Sequence, residues 1–286
     1  MKKIAILGCE NSHANEFLNY IIKDKLYEDI EVAGVYSDDL EAAKILNKEY
    51  GVYIASAYDE FVGKVDGIVI TARHGDNHYK YAKPYIKSGI PMFIDKPITV
   101  SEEDAREFMK EIQDNNIKVC GGSVFIFVDK VLELKKIVEG REQGEVYGGF
   151  LRAPISMNNE YGNFYFYSQH LVQMMTEIFG YYPKSVKAYR NNNVISCVVR
   201  YENYDINLEF VDGNYKYYVL ASCENQVVGG ECDFGGSFKK EFDSFYQILS
   251  GGEMEMSYKD FFASVYILNA INRSIENGQE EEIKYF

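Results

Sequence analysis

The chain has 286 residues, 47% hydrophobic and 26% charged, with 30 Lys and Arg against 44 Asp and Glu. That length favours two domains over a single core, and the composition is that of an ordinary globular protein. A formal net charge of −14 repels phosphate backbones and anionic lipid, which argues against nucleic acid and membrane as partners but not against a local basic site for a small anion.

The opening MKKIAILGCENS imitates an export signal in its lysines and its cysteine, yet the apolar run before Cys9 extends only from Ile4 to Leu7. An export signal needs roughly 7–15 apolar residues, so the segment reads as a first β-strand. No run approaches the roughly 20 apolar residues of a membrane span. Cys9, Cys120, Cys197, Cys223 and Cys232 are odd in number and lack CxxC spacing, which fits reduced thiols in a cytoplasmic protein without a disulfide framework or zinc site.

Taken in order, the strand of residues 3–7 ends at Gly8 and a helical pattern covers residues 14–25. A β-branched run at 30–37 predicts the second strand, and residues 40–50 a helix stopped by Gly51. Residues 53–55 read as a short strand, 66–72 as a buried one, and 77–88 as a helix stopped by Gly89. The strand at 91–95, a helix from Ser101 to about Asn116 and a strand at 117–124 complete the series. Six strands alternating with helices require right-handed crossovers, so residues 1–120 are expected to form a parallel, doubly wound Rossmann-type domain. Ligands of such sheets bind outside the carboxyl ends of the strands, here residues 8–13, 37–39, 71–78 and 95–97.

From residue 121 the pattern changes. After helices at 129–139 and 170–179, five alternating runs (185–189, 194–201, 205–211, 216–222 and 226–232) predict a mostly antiparallel sheet, with turn signals such as Asp212-Gly213-Asn214 between strands. A helix at 258–277, stopped by Gly278, closes an α+β domain over 121–286.

The segment ITARHGDNHYKYAKPYIKSGIPMFIDKPIT, residues 70–99, resembles the Gfo/Idh/MocA oxidoreductases: a threonine-bearing strand, a His-containing loop, a helix, then a strand ending in acidic-Lys-Pro. QHLVQMMTEIFG (169–180) looks like that family's histidine-bearing helix, and LNAINRSIENGQ (268–279) like its closing helix. The resemblance implies a two-domain enzyme using NAD(H) or NADP(H) on sugars, cyclitols or related polyols. It also implies a homodimer or homotetramer joined through the second domain's sheet.

Lys96 projects a cation into the switch-point crevice while Pro97 fixes the turn, an arrangement able to let a substrate hydroxyl lose its proton as hydride leaves. The resemblance makes His170 the proton relay opposite it; a histidine bonded within its own domain is the alternative. Inositol-type members carry an aspartate four residues before that histidine, where this chain has Phe166, and often an acid three residues after, where it has Gln173. The catalytic set is therefore Lys96 and His170, with Tyr165 or Tyr167 as partial substitutes; Tyr161 and Tyr165 are also candidates for stacking on a sugar ring.

The dinucleotide fingerprint GxGxxG falls on Gly8-Cys9-Glu10-Asn11-Ser12-His13, and only Gly8 survives. Glu10 brings the wrong charge for a pyrophosphate, so binding needs Glu10 turned away and the amides of Ser12 and His13 on the phosphates; Ser12 reads equally as a helix N-cap. Ser37 and Asp38 end the second strand, with no basic residue for a 2′-phosphate, which favours NAD(H) over NADP(H); Asp39 reads equally as a cap. Thr71, His74, His78, Asp95 and Pro97 complete the expected cofactor contacts, and no metal is expected at His74 and His78 because Gly75 and Asp76 interrupt a helix there. Two other readings stay open: a binding or regulatory member that has lost hydride transfer and need hold no dinucleotide, and a lyase or hydrolase using tightly held NAD.

Overall fold

The computed structural model describes residues 1–286 as two compact units, one of Met1–Gly122 with Phe238–Phe261, the other of Ser123–Ser237 with Phe262–Phe286. The first part of the chain runs β1 (Lys2–Leu7), α1 (Ser12–Leu18), β2 (Ile30–Tyr36), α2 (Leu40–Tyr50), β3 (Gly67–Ile70), α3 (Asp76–Ala82), β4 (Met92–Asp95), α4 (Glu102–Asp114) and β5 (Val119–Gly122). Then follow α5 (Asp129–Gly140), β6 (Val146–Ile155), α6 (Phe164–Phe179), β7 (Ser185–Asn191), β8 (Val194–Arg200), β9 (Asp205–Asp212) and β10 (Tyr218–Cys223). Last come β11 (Val227–Glu231), α7 (Ser237–Leu249), α8 (Tyr258–Asn277) and β12 (Glu281–Glu282).

In the first unit β1 to β5 form an all-parallel sheet in the order β2-β1-β3-β4-β5. Every residue of β3 and β4 is buried, as their unbroken apolar runs require of strands covered on both faces. The order reverses between β1 and β3, which puts the ligand crevice at the carboxyl ends of these two strands. Local chemistry sets the helix ends. The Asp39 carboxylate accepts from the Glu41 and Ala42 amides, Gly51 closes α2 in the left-handed region, and Ser101 accepts from Asp104 N–H.

Four expectations change here. The helix expected at 14–25 is α1 followed by a π-helical turn, Asn19–Lys23. The helix expected at 77–88 is α3 followed by a 3₁₀ turn, Lys83–Ser88, because Pro84 has no N–H to continue the ladder. Residues 53–55 add only a bridge from Ile54 to Val35, so the sheet has five strands rather than six. Residues 238–261, read from sequence with the second domain, return to the first unit: Phe242, Phe245 and Ile248 of α7 share its core with Ile4, Ile6, Phe17 and Phe93.

The second unit is a seven-stranded sheet in the order β11-β10-β6-β9-β8-β7-β12. An interior strand, β6, has no counterpart among the expected strands because Gly148, Gly149 and Pro154 blur the alternation. β6 lies parallel to β9 and antiparallel to β10, so Asp212-Gly213-Asn214 joins two strands that are not neighbours and makes no hairpin. The alternating burial of β8 and β10 gives the one-face-covered sheet that their sequences predict. α6 begins at Phe164, six residues before His170, and is buried from Ser168 to Phe179. All five cysteines are unpaired, and no helix is long and apolar enough to cross a membrane.

Candidate functional site

The first unit gathers most candidate residues around the switch point. Gly8 has φ +76°, and a Cβ there would lie 2.4 Å from the Ala72 backbone, so only glycine lets the β1 loop approach β3 this closely. The Thr71 hydroxyl donates to the Gly8 carbonyl at 3.0 Å and pins that approach. Glu10, at the second glycine position, does not turn away. Its carboxylate accepts from the Ser37 hydroxyl at 2.6 Å and from the Arg73 amide at 3.0 Å, tying together the loops after β1, β2 and β3. Ser12 is exposed, and Asn11 rather than Ser12 is the N-cap of α1: its Oδ1 accepts from His13 N–H at 3.4 Å.

At the end of β2 the Asp38 carboxylate accepts from Tyr36 at 2.5 Å and Tyr81 at 2.8 Å, and these bonds hold its pKa below the usual carboxylate range. His74 is partly exposed, and its Nδ1 accepts from Asp76 N–H at 3.3 Å. His78 is fully buried, with Nε2 2.7 Å from the Ala72 carbonyl; burial lowers its pKa to about 4, so it is a neutral core histidine that donates to that carbonyl. Pro97 follows Lys96 through a cis peptide bond and packs against Gly75, where a Cβ would meet its ring at 2.8 Å.

Asp95 and Lys96 end β4 in a dry, charged cluster. Asp95 is wholly buried; its Oδ1 accepts from Lys96 N–H at 2.7 Å and its Oδ2 from the Asn11 amide at 2.8 Å. Burial raises its pKa to about 6 despite the pull of His13 and Lys96. Lys96 is 5% exposed; burial and Arg73 lower its pKa, and Asp95 and Glu241 oppose them. The His13 amide, expected on a phosphate, donates to Asn11 Oδ1, while its ring lies with Nδ1 3.1 Å from Asp95 and Nε2 3.2 Å from Glu241 of α7. Glu241 and Asn11 went unread in the sequence. A signal for Glu241 exists: it shares one stripe of the amphipathic α7 with Phe238, Phe242 and Phe245, an acid where the helix is otherwise apolar.

In the second unit His170 is 4% exposed, in the second turn of α6. Its Nδ1 shares a hydrogen bond with the Ser123 hydroxyl at 2.7 Å, and Ser123 Oγ also accepts from Phe125 N–H at 3.1 Å. The rings of Phe125, Tyr167 and Tyr217 enclose the imidazole. Phe166 packs at a tilt against Tyr161 and edge-on against Tyr167, Tyr165 donates to Asn269 Oδ1 at 3.1 Å, and Gln173 accepts from Gln169 at 3.0 Å. Within this unit the place of the missing aspartate is aromatic.

A parallel sheet with a glycine-pinned β1 loop at its switch point defines a dinucleotide-binding Rossmann domain. Residues 2–122 match the model of the Gfo/Idh/MocA oxidoreductase family, NAD-binding Rossmann fold, a match that covers the five-stranded parallel sheet. It is 28% identical over 151 residues to an uncharacterized oxidoreductase of Streptococcus pneumoniae, covering 51% of this chain and 38% of that one. It is 23% identical over 143 residues to the uncharacterized oxidoreductase YhhX of Escherichia coli, covering 50% and 41%. These matches thus span about two fifths of each relative. A scyllo-inositol dehydrogenase of Lactobacillus casei with bound NAD(H) and scyllo-inositol shares the fold, at TM-score 0.85, 15% identity and 99% of both chains. So does a myo-inositol dehydrogenase of Corynebacterium glutamicum, at TM-score 0.84, 17% identity and 100% of both.

Proposed function

We propose that this protein is an NAD(H)-dependent oxidoreductase acting on a sugar, cyclitol or related polyol. The observation that carries the reading is Lys96, a buried lysine with lowered pKa at the end of β4 in an NAD-binding fold. Bound nicotinamide supplies the hydride acceptor or donor. Ser37 and Asp38 suit a ribose at the end of β2, and the absence of a cation in Ser37-Asp38-Asp39 favours NAD(H) over NADP(H). Lys96 holds the substrate hydroxyl and takes its proton, since burial keeps its pKa low enough for that exchange. His170, oriented by Ser123, is the second proton-handling group. Assembly into a dimer or tetramer through the seven-stranded sheet goes with this reading. Titration with NADH followed by nicotinamide fluorescence tests it, and no binding at millimolar cofactor sinks it.

One observation favours a non-redox binding protein instead. The Glu10 carboxylate occupies the Ser37 and Arg73 donors and places a negative charge in the loop that pyrophosphate must approach. For the enzyme reading Glu10 has to release both donors. Glu10→Gly is then expected to tighten NADH binding about tenfold, which corresponds to removing about 1.4 kcal/mol of competition. If NADH binds neither form, the non-redox reading stands.

A further inference from the structure

Four ionisable side chains meet in the first unit where water does not reach: Asp95 and Glu241 are 0% exposed, His13 3% and Lys96 5%. Polar contacts fix the proton positions. Asn11 donates its amide N–H to Asp95 Oδ2 at 2.8 Å, which leaves its Oδ1 as an acceptor, 3.3 Å from His13 Nδ1. With Asp95 Oδ2 also 3.1 Å away, His13 Nδ1 faces only acceptors and carries a proton. A neutral ring then has Nε2 as an acceptor. That atom faces Glu241 Oε2 at 3.2 Å, and neither it nor either Glu241 oxygen has a hydrogen-bond partner elsewhere.

Charge counting decides between the two neutral arrangements. With His13 as imidazolium and Glu241 ionised, four charges lie buried; with both neutral, only Asp95 and Lys96 do. Each buried ion costs several kcal/mol after relaxation, so the arrangement with fewer charges prevails. We infer that Glu241 is a neutral acid donating to His13 Nε2, that His13 passes its Nδ1–H toward Asp95, and that this chain positions the one buried carboxylate against Lys96. Burial acts in the same sense on both groups, raising Glu241 and lowering His13. Of the charges around the cluster, Arg73 lowers the proton affinity of Lys96 and Glu16 raises that of His13. Glu241 is thus a positioning residue, acting on Lys96 through two others.

The three groups also lie close enough for a metal ion. The two carboxylates stand nearest opposite ring nitrogens, however, which is the arrangement of a proton chain through the imidazole rather than of ligands gathered around one nitrogen.

Only the ligand-facing role of Lys96 rests on the function proposed above, and the test needs neither nucleotide nor substrate. The chain has four histidines, so the ¹⁵N spectrum of histidine-labelled protein, assigned with His13→Gln, reads the His13 tautomer directly. The expected state near neutral pH is a neutral ring protonated at Nδ1, retained in Glu241→Gln, whose amide donates in the same place. Competitive acetylation read by mass spectrometry is expected to give the same half-labelling pH for Lys96 in Glu241→Gln, and one about a unit lower in Asp95→Asn. An imidazolium in the parent protein, a proton on Nε2, or a stoichiometric transition metal in freshly purified protein overturns the inference. So does a Glu241→Gln shift in Lys96 labelling as large as that of Asp95→Asn. A protein that fails to bind NADH yet shows this tautomer defeats the function proposed above and leaves the cluster standing.

Discussion

Lys96 and His170, the two residues to which the proton chemistry is assigned, are held in opposite ways. Lys96 lies among ionisable groups, Asp95, Glu241 and Arg73, of which Asp95 and Arg73 carry charge. His170 lies among rings, with one hydroxyl to orient it. In the first unit proton affinity is set by the balance of burial and Coulomb attraction, so one substitution propagates through the cluster. In the second the imidazole is oriented by a hydrogen bond with Ser123 among aromatic rings, so a substitution acts locally.

The largest effect expected from that contrast is at Lys96. Lys96→Met is expected to lower kcat about 10²–10⁴-fold on any polyol the protein oxidises, the usual range for losing a general acid–base group, with NADH affinity held within about threefold. Steady-state kinetics beside a fluorescence titration checks this. Equal loss of kcat and cofactor binding would recast Lys96 as a cofactor anchor and break the comparison.

Ser123→Ala tests the other side. Removing the hydroxyl takes from His170 Nδ1 its buried hydrogen bond with Ser123, which costs about 1–3 kcal/mol of stability. If Ser123 orients a working histidine, kcat falls about tenfold and the pH–rate limb belonging to His170 moves, while the tautomer of His13 in the first unit does not change. A stability loss with an unmoved pH profile makes His170 a structural histidine.

How much of this could be read in the sequence follows the distance over which each feature is determined. The Rossmann sheet, the turn at Lys96-Pro97 and the glycine need at residue 8 rest on short-range patterns: buried strands, punctuating glycines and a proline. Glu10 was visible as the wrong residue in a phosphate loop, but its engagement with Ser37 and Arg73 depends on strand order. The ring of His13 was not legible, and only its amide at a helix start was, because its partners are 82 and 228 positions away in the numbering, on β4 and α7. β6 escaped because its glycines and proline suppress strand propensity; Gly148 and Gly149 sit between two neighbours, and Pro154 lies past the end of the β10 pairing, where β9 alone is paired.

The smallest net effect on the parent protein concerns stability in acid, where two buried groups of the first unit oppose each other. His78 has its folded pKa lowered from 6.5 to about 4, so its contribution is complete above the unfolded value and is lost as pH falls through this window, by up to about 3 kcal/mol. Asp95 has its folded pKa raised from 3.8 to about 6, so the folded state takes up its proton first and gains a similar amount, about 3 kcal/mol, as pH falls over nearly the same range. The two nearly cancel, and their joint effect on the acid limb is flat between about pH 6 and pH 4. His78→Gln removes only the loss. Urea unfolding at several pH values is therefore expected to show the variant gaining stability relative to the parent as pH falls, whatever constant offset the substitution adds. A pH-independent difference would mean that His78 is protonated in the folded protein, and the first unit's histidines would then be charged partners rather than neutral ones.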